Sequence, residues 1–318
     1  MNSKPFIIVC DGMEDELFAQ LKEKSHFNVH PKSKVTLTEL KELIPQASAL
    51  IIRSATSPNQ ELLQNAKNLK MIIRAGEGTD NIDKKYCAQV GIKVCNTPGA
   101  NNNSAAEHAI ALMMSALRFV PQAHQLMKQG TWEKNAFVGM ELSNKTIGII
   151  GMGRIGQIVS KRLSGFEPKT LFYDPFFKGD AKQFNATQCS NLNDLLAQSD
   201  IITIHVPLMD STKNLISLKE FKLMKKSAIL VNASRGKIVN EEDLAIALKE
   251  KMIKAAALDV FATEPLTGPS HLQELPNLIM TPHLGASTLE AQFRVGEICL
   301  SMLDEYFLKN NLLNEVKN

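Results

Sequence analysis

The chain has 318 residues, 44% of them hydrophobic and 22% charged, the size and make-up of a soluble globular protein with two domains of ordinary size. With 36 Lys and Arg against 33 Asp and Glu, the net charge of +3 excludes the strong basic bias of a nucleic-acid binder. The five cysteines (Cys10, Cys87, Cys95, Cys189, Cys299) are odd in number and lack CxxC spacing, so free thiols in a reducing, cytoplasmic setting are expected, with neither a disulfide framework nor a metal site.

Short apolar runs alternate with helical patterns from the start. Residues 6–10, 49–52, 71–73 and 93–95 read as strands, and 15–24, 38–44, 60–66 and 83–89 as the helices between them. Residues 6–10 are strand-like rather than a secretion signal, and the longest apolar helix, near 109–120, is too short to span a bilayer. This βαβ rhythm predicts a parallel sheet covered by helices on both faces. A run dense in turn formers, 96–103, breaks it. Ser104-Ala105-Ala106-Glu107 then has the pattern of a capping box opening a helix to about Val120.

The rhythm restarts at Lys145. Residues 145–150 read as a buried strand, followed at once by Gly151-Met152-Gly153-Arg154-Ile155-Gly156, a helix over 157–163 and a strand over 170–173 that ends on Asp174. Each glycine has a reason: Gly151 for the tight turn, Gly153 for the approach of backbone to a pyrophosphate, Gly156 for packing of helix on strand. The helix N-terminus presents N–H groups and a positive dipole end to phosphates. Asp174, 18 residues beyond Gly156, is placed to bind a ribose diol and to repel a 2′-phosphate, which selects NAD over NADP. Further strands are expected at 201–205, 228–232, 255–260 and 278–280, and a second capping-box pattern, Ser287-Thr288-Leu289-Glu290, opens a helix to about Tyr306.

Ligands of such sheets bind at the carboxyl ends of the strands. Arg235, Glu264 and His283 each follow a predicted strand of the second domain. A histidine with a carboxylate neighbour is a general acid/base whose protonated form is stabilised by the anion, and arginine offers a two-pronged fork to a carboxylate or a developing alkoxide. With a nicotinamide, that set suits hydride removal from a carbon bearing a hydroxyl beside a carboxylate. His108, inside an apolar helix, and His205, at a strand end, read as packing residues.

These residues and their surroundings resemble the D-isomer-specific 2-hydroxyacid dehydrogenases, and most of all their D-3-phosphoglycerate dehydrogenase branch. The likeness covers nearly the whole chain, through Ile52-Arg53-Ser54-Ala55-Thr56, Arg74-Ala75-Gly76-Glu77-Gly78-Thr79-Asp80-Asn81, Asn96-Thr97-Pro98, the glycine loop, Ala233-Ser234-Arg235-Gly236, Leu258-Asp259-Val260-Phe261 and Pro282-His283-Leu284-Gly285-Ala286-Ser287. It implies an α/β fold of two Rossmann-like doubly wound parallel-sheet domains. The NAD-binding one, 99–286, is inserted into a substrate-binding (lid) domain, 1–98 plus 287–318, and the chain pairs as a homodimer. It implies catalytic roles for Arg235, Glu264 and His283. Gly151, Gly153, Arg154, Ile155 and Gly156 would meet the pyrophosphate and Asp174 the ribose. Val206 and Pro207 would line the adenine side, Asp259 would meet the carboxamide, and Ala233, Ser234 and Gly285 would complete the cofactor site.

The same resemblance implies that Gly76 and Gly78 offer N–H groups to a substrate carboxylate, and that Arg53, Arg74 and, from across the dimer, Lys134 bind a substrate phosphate. The expected partner is therefore a small phosphorylated 2-hydroxy acid, with no nucleic acid and no membrane. A glyoxylate or hydroxypyruvate reductase is the alternative among enzymes, and an NAD(H)-sensing co-repressor-like protein the alternative of another class. Glu77 departs from the small or hydroxyl residue of many relatives, and a carboxylate there would repel an anion unless it turns away. The end of the chain at Asn318 leaves no length for the C-terminal regulatory domain of longer relatives.

Overall fold

Alternation along the strands decides the architecture. In Phe6–Val9, Ile7 and Val9 pack into one apolar cluster, while Ile8 and the following Cys10 pack into another. A strand apolar on both faces must be covered on both, which is the parallel, helix-sandwiched sheet that the sequence pattern predicts. The computed structural model of the protein, which describes residues 4–316, contains two such sheets, and every pairing between their named strands is parallel.

The chain divides into two compact units, one running to Asn101 and resuming at Ala286, the other Asn102–Gly285. In the first unit the sheet has the order β2 (Asn28–Val29), β1 (Phe6–Val9), β3 (Ala49–Ile52), β4 (Met71–Arg74), β5 (Lys93–Asn96). Around it lie α1 (Asp15–Glu23), α2 (Leu37–Leu43), α3 (Gln60–Leu63) and α4 (Lys84–Gln89). The second unit begins with α5 (Asn102–Arg118) and α6 (Val120–Lys128). Its sheet joins β6 (Thr146–Ile150), β7 (Lys169–Tyr173), β8 (Ala186–Gln188), β9 (Ile201–Ile204), β10 (Ile229–Asn232), β11 (Ala255–Leu258) and β12 (Leu278–Met280), in the order β12-β11-β10-β9-β6-β7-β8. The strand order reverses between β6 and β9, so the loop after β6 sits at the switch point where open sheets of this kind bind ligands. The helices α7 (Arg154–Leu163), α8 (Leu192–Gln198), α9 (Leu218–Phe221) and α10 (Glu241–Lys249) connect these strands, and α11 (Leu289–Lys309) returns to the first unit. There Val295, Cys299, Leu300, Met302 and Leu303 of α11 close the cluster that contains Ile7 and Val9.

Both predicted capping boxes are displaced. Helix α5 starts at Asn102, which puts Ser104 inside its first turn, buried, while Glu107 pairs with Arg162 at 2.8 Å. Helix α11 is capped by Thr288, whose hydroxyl accepts from the Ala291 N–H at 3.2 Å, and not by Ser287. At α11 the neighbouring polar residue takes the cap, a shift of one position that composition cannot resolve. The apolar helix also ends earlier than its pattern suggests, at Phe119, whose φ of 54° cannot continue an α-helix. No helix of the described residues is long and apolar enough to cross a membrane.

Candidate active site

The glycine loop has the geometry its spacing predicts. Gly151 has φ +93°, and a Cβ there would lie 2.6 Å from the His205 carbonyl oxygen and 2.7 Å from Val206. A Cβ on Gly156 would collide with the Gly151 carbonyl oxygen, so α7 packs this tightly only through glycine. At Gly153, by contrast, a Cβ would meet nothing within 4 Å, and Gly153 caps α7 with no side chain accepting from the first turn. The loop therefore leaves an open face beside N–H groups at the positive end of a ten-residue helix, where Arg154 and Ile155 begin the first turn. These features fit a pyrophosphate. Asp174 follows β7 with one oxygen accepting from the Met152 N–H of the loop (2.9 Å) and the other from Phe176 N–H (2.8 Å), so the acid is locked to the loop it serves. Lone pairs remain on both oxygens for a ribose diol. Val206 and Pro207 follow β9, with Val206 against Gly151.

His283 and Glu264 come together. His283 Nδ1 and Glu264 Oε2 are 2.6 Å apart, with the side chains 40% and 31% exposed. A carboxylate only accepts, so Nδ1 carries the hydrogen and Nε2 is left to exchange a proton. The other Glu264 oxygen accepts from the Phe261 N–H at 2.9 Å. Burial pushes the Glu264 carboxyl up, but the hydrogen bonds from His283 and Phe261 outweigh it and hold the carboxyl below its ordinary value.

Arg235 follows β10 in a loop pinned by Asn232. The Asn232 amide donates to the Arg235 carbonyl (2.9 Å), and its oxygen accepts from the Ser234 N–H (3.1 Å) and hydroxyl (2.8 Å), with Ala233 between. Arg235 Nη1 donates to the Ser234 carbonyl at 2.7 Å. The Gly236 Cα lies hard against the Phe261 carbonyl, where any Cβ would clash, which joins the Arg235 loop to the turn that carries Glu264.

Asp259 is fully buried, 0% exposed, and accepts from four protein donors. Its Oδ1 accepts from Thr281 Oγ1 (2.6 Å), the Leu284 N–H (2.7 Å) and His108 Nε2 (3.0 Å), and its Oδ2 from the Gly285 N–H (2.9 Å). Burial pushes this carboxyl up, but His108, Thr281 and the Leu284 N–H together hold it below the ordinary carboxylate value. Sequence reading missed Thr281 and took His108 for packing. Both sit four residues or fewer from recognisable motifs, but nothing in their spacing points to Asp259.

In the first unit, the Arg53 loop is braced from two sides. Asp11, just past β1, accepts from the Arg53 N–H (2.6 Å), the Thr56 N–H (3.1 Å) and the Thr56 hydroxyl (2.6 Å), and the Asn81 amide donates to the carbonyls of Arg53 (2.8 Å) and Thr56 (2.6 Å). An acid at the carboxyl end of a predicted strand was the one signal available for Asp11. The Arg74 guanidinium folds back over Gly76, φ +149°, and donates to the Ala75 carbonyl at 3.1 Å. Arg53 directly follows β3 and Arg74 ends the neighbouring parallel strand β4, so both stand at the carboxyl edge of this sheet. Glu77 turns away from the 76–78 backbone: its Oε2 accepts from the Gly99 N–H at 2.7 Å, while the Asn96 amide donates to its carbonyl at 2.7 Å. Lys134 lies exposed in a single 3₁₀ turn of the second unit. Among the described residues no group of His, Cys, Asp and Glu could hold a metal ion.

Comparison with known proteins agrees with this chemistry. Residues 110–285 match the family model described as D-isomer specific 2-hydroxyacid dehydrogenase, NAD binding domain. The chain is 43% identical over 292 residues to a D-3-phosphoglycerate dehydrogenase of Archaeoglobus fulgidus, covering 92% of this chain and 55% of that protein. It is 41% identical over 290 residues to a hydroxypyruvate reductase of Thermotoga maritima, covering 91% of this chain and 94% of that one. An NAD-dependent formate dehydrogenase from Staphylococcus aureus, solved in complex with NAD, superposes with a TM-score of 0.86 at 29% identity, over 99% of each chain. The chain spans about half the length of the phosphoglycerate dehydrogenases it matches. It belongs to the D-isomer-specific 2-hydroxyacid dehydrogenase family, and its second unit is that family's NAD-binding domain.

Proposed function

We propose that this chain oxidises 3-phospho-D-glycerate to 3-phosphohydroxypyruvate, the first oxidation on a route to serine, with NAD as hydride acceptor. The observation that carries the chemistry is the 2.6 Å bond between His283 Nδ1 and Glu264, which leaves Nε2 to take the proton from the C2 hydroxyl as C2 gives up its hydride. NAD, when bound, supplies the acceptor for that hydride. Glu264 stabilises the imidazolium that forms. Arg235 orients the substrate carboxylate and the carbonyl that develops at C2. The N–H groups of Gly76 and Gly78 are assigned to the carboxylate, and Arg53, Arg74 and Lys134 to the phosphate, because a phosphate needs cationic partners and an apolar pocket would reject it.

The turned-away Glu77 supports the anion role of its loop, since its charge is engaged by the Gly99 N–H. The identity with several phosphoglycerate dehydrogenases favours the phosphorylated substrate. The reduction of hydroxypyruvate is the second reading, favoured by the Thermotoga maritima relative, which matches over 94% of its own length. Val120 (54%), Trp132 (78%) and Val138 (75%) are apolar side chains left exposed close together in sequence, which supports a homodimer formed by this part of the second unit. All five cysteines are free thiols, in keeping with a cytoplasmic enzyme. NADH absorbance with 3-phosphoglycerate, glycerate, glyoxylate and hydroxypyruvate tests the assignment. A kcat/KM at least about tenfold higher for the phosphorylated pair is expected, about 1.4 kcal/mol in transition-state terms. Preference for glyoxylate or hydroxypyruvate would overturn it.

A further inference from the structure

We propose that His108 is a positioning residue for proton transfer at His283, acting through the Asp259 carboxylate on the loop of residues 281–285; the proposal rests on the reading of His283 as the acid/base. The loop has an unusual demand on it. His283 stands at φ +55°, a left-handed conformation that a residue with a Cβ adopts only when its surroundings over-determine it.

Besides the Glu264 bond and the Thr281 carbonyl, which accepts from the His283 N–H at 3.0 Å, the holding groups are those of Asp259. The Asp259 carbonyl accepts from the His283 N–H (2.8 Å), and its carboxylate accepts from the N–H groups of the next two residues, Leu284 (2.7 Å) and Gly285 (2.9 Å). Three consecutive amides thus converge on one residue, and Thr281 ties the near end of the loop to the same oxygen at 2.6 Å. A buried carboxylate holds such a loop only if its own charge is compensated, since removing one partner of a buried charge is far costlier than removing a surface contact.

His108 adds a donor to that carboxylate from α5. Its Nε2 lies 3.0 Å from Asp259 Oδ1 and 3.2 Å from Thr281 Oγ1, with the side chain 19% exposed. Among the donors on Asp259 it is the one contributed from outside the 281–285 segment, so it anchors the loop to α5, a helix packed on β10 and β11 and therefore rigid. The hydroxyl of Thr281 and the amides of 284 and 285 move with the loop. His108 does not. A loop that swings as a unit would carry its other donors away from Asp259, while the bond to α5 fixes where Asp259 Oδ1 points.

The test uses the full chain with His108→Phe, which keeps the volume but removes the donor, and His108→Gln, which keeps a donor. In H108F, kcat should fall about 10²-fold, the cost of a misplacement of roughly 1 Å in reacting geometry, with KM for NAD within about twofold. H108Q should recover to within about fivefold of wild type, a rescue that a purely packing role would not produce. Hydrogen–deuterium exchange of the ligand-free protein reads the loop without reference to turnover. Peptides containing amides 283–285 should exchange about tenfold faster in H108F, while those of the glycine loop stay unchanged. Wild-type exchange and wild-type kcat in H108F would overturn the proposal. Should H108F fail to fold, His108→Asn, too short to reach Asp259, serves in the same comparison. Wild-type turnover in His283→Ala would instead sink the acid/base reading, and the exchange result tells the two failures apart.

Discussion

Glu264→Gln isolates the charge of the acid/base pair from its geometry. Gln can still accept from His283 Nδ1–H, so the ring keeps its orientation, but it no longer stabilises an imidazolium. Charge centres about 4 Å apart attract by about 4 kcal/mol at an effective dielectric near 20. With His283 and Glu264 40% and 31% exposed, water screens part of this. The loss should then fall near about 1.5–3 kcal/mol, the range for hydrogen bonds to charged groups, or roughly 10- to 150-fold in kcat. Steady-state kinetics with NAD and the preferred 2-hydroxy acid measures this, and KM for NAD should stay within about twofold because the glycine loop is untouched. A primary isotope effect with substrate deuterated at C2 establishes that hydride transfer limits the rates compared. A Gln variant within threefold of wild-type kcat under that condition refutes the charge argument. Because Glu264 is held below its ordinary value, the wild-type enzyme keeps this carboxylate ionised throughout the neutral range.

Asp174→Ala should lower kcat/KM for NAD relative to NADP by at least about tenfold, since it removes both the ribose acceptor and the repulsion of a 2′-phosphate; an unchanged ratio places the choice elsewhere. Arg53→Ala should raise KM for 3-phosphoglycerate by an amount worth about 1.5–3 kcal/mol while barely changing turnover of unphosphorylated acids, and equal losses on both would make Arg53 structural. The Asp259 carboxyl is lowered in the folded protein, so its contribution to stability is full above the ordinary carboxylate value of 3.8 and is lost as pH falls through the lowered one. Asp259→Asn should accordingly flatten the acid limb of stability measured by urea unfolding between about pH 5 and 2, and an unchanged limb would mean that other carboxyls carry it.

Local signals made the sheets legible. Strands buried at every position and almost wholly apolar, such as Ala49–Ile52 and Ile201–Ile204, fit a parallel sheet covered on both faces, and the glycine loop after β6 marks the switch point because steric rules leave few other residues there. Short polar-faced strands were invisible: β2 has two residues and β8 three, too few to show a period. The pairing of His283 with Glu264 was readable because each ends or follows a strand. The donors on Asp259 were not. His108 lies 151 positions from Asp259 in sequence, and its apolar neighbours on α5 argue for packing whether or not its ring faces a carboxylate. The turning of Glu77 onto Gly99 is equally non-local, a bond across 22 positions that depends on how the loop after β5 folds back.

Four acids stand among the groups assigned to ligands, and their placement has a common logic. Asp174 spends its oxygens on the Met152 and Phe176 amides, Glu77 accepts from Gly99, and Asp259 from four donors. A carboxylate that accepts from fixed N–H dipoles projects a weaker field on its neighbours than a bare one, because the donors' positive ends lie between charge and ligand. Glu77 and Asp259 therefore shape loops at little electrostatic cost to a negatively charged ligand, while Asp174 keeps lone pairs on both oxygens and with them its repulsion of a 2′-phosphate. Glu264 differs, since on the proposed reading its partner His283 gains a proton in the reaction and the interaction strengthens as the transition state forms. Only an interaction that grows in this way lowers the barrier. Exchanging the charge of Asp174 or Glu77 should thus be felt first in binding or stability, and that of Glu264 in kcat.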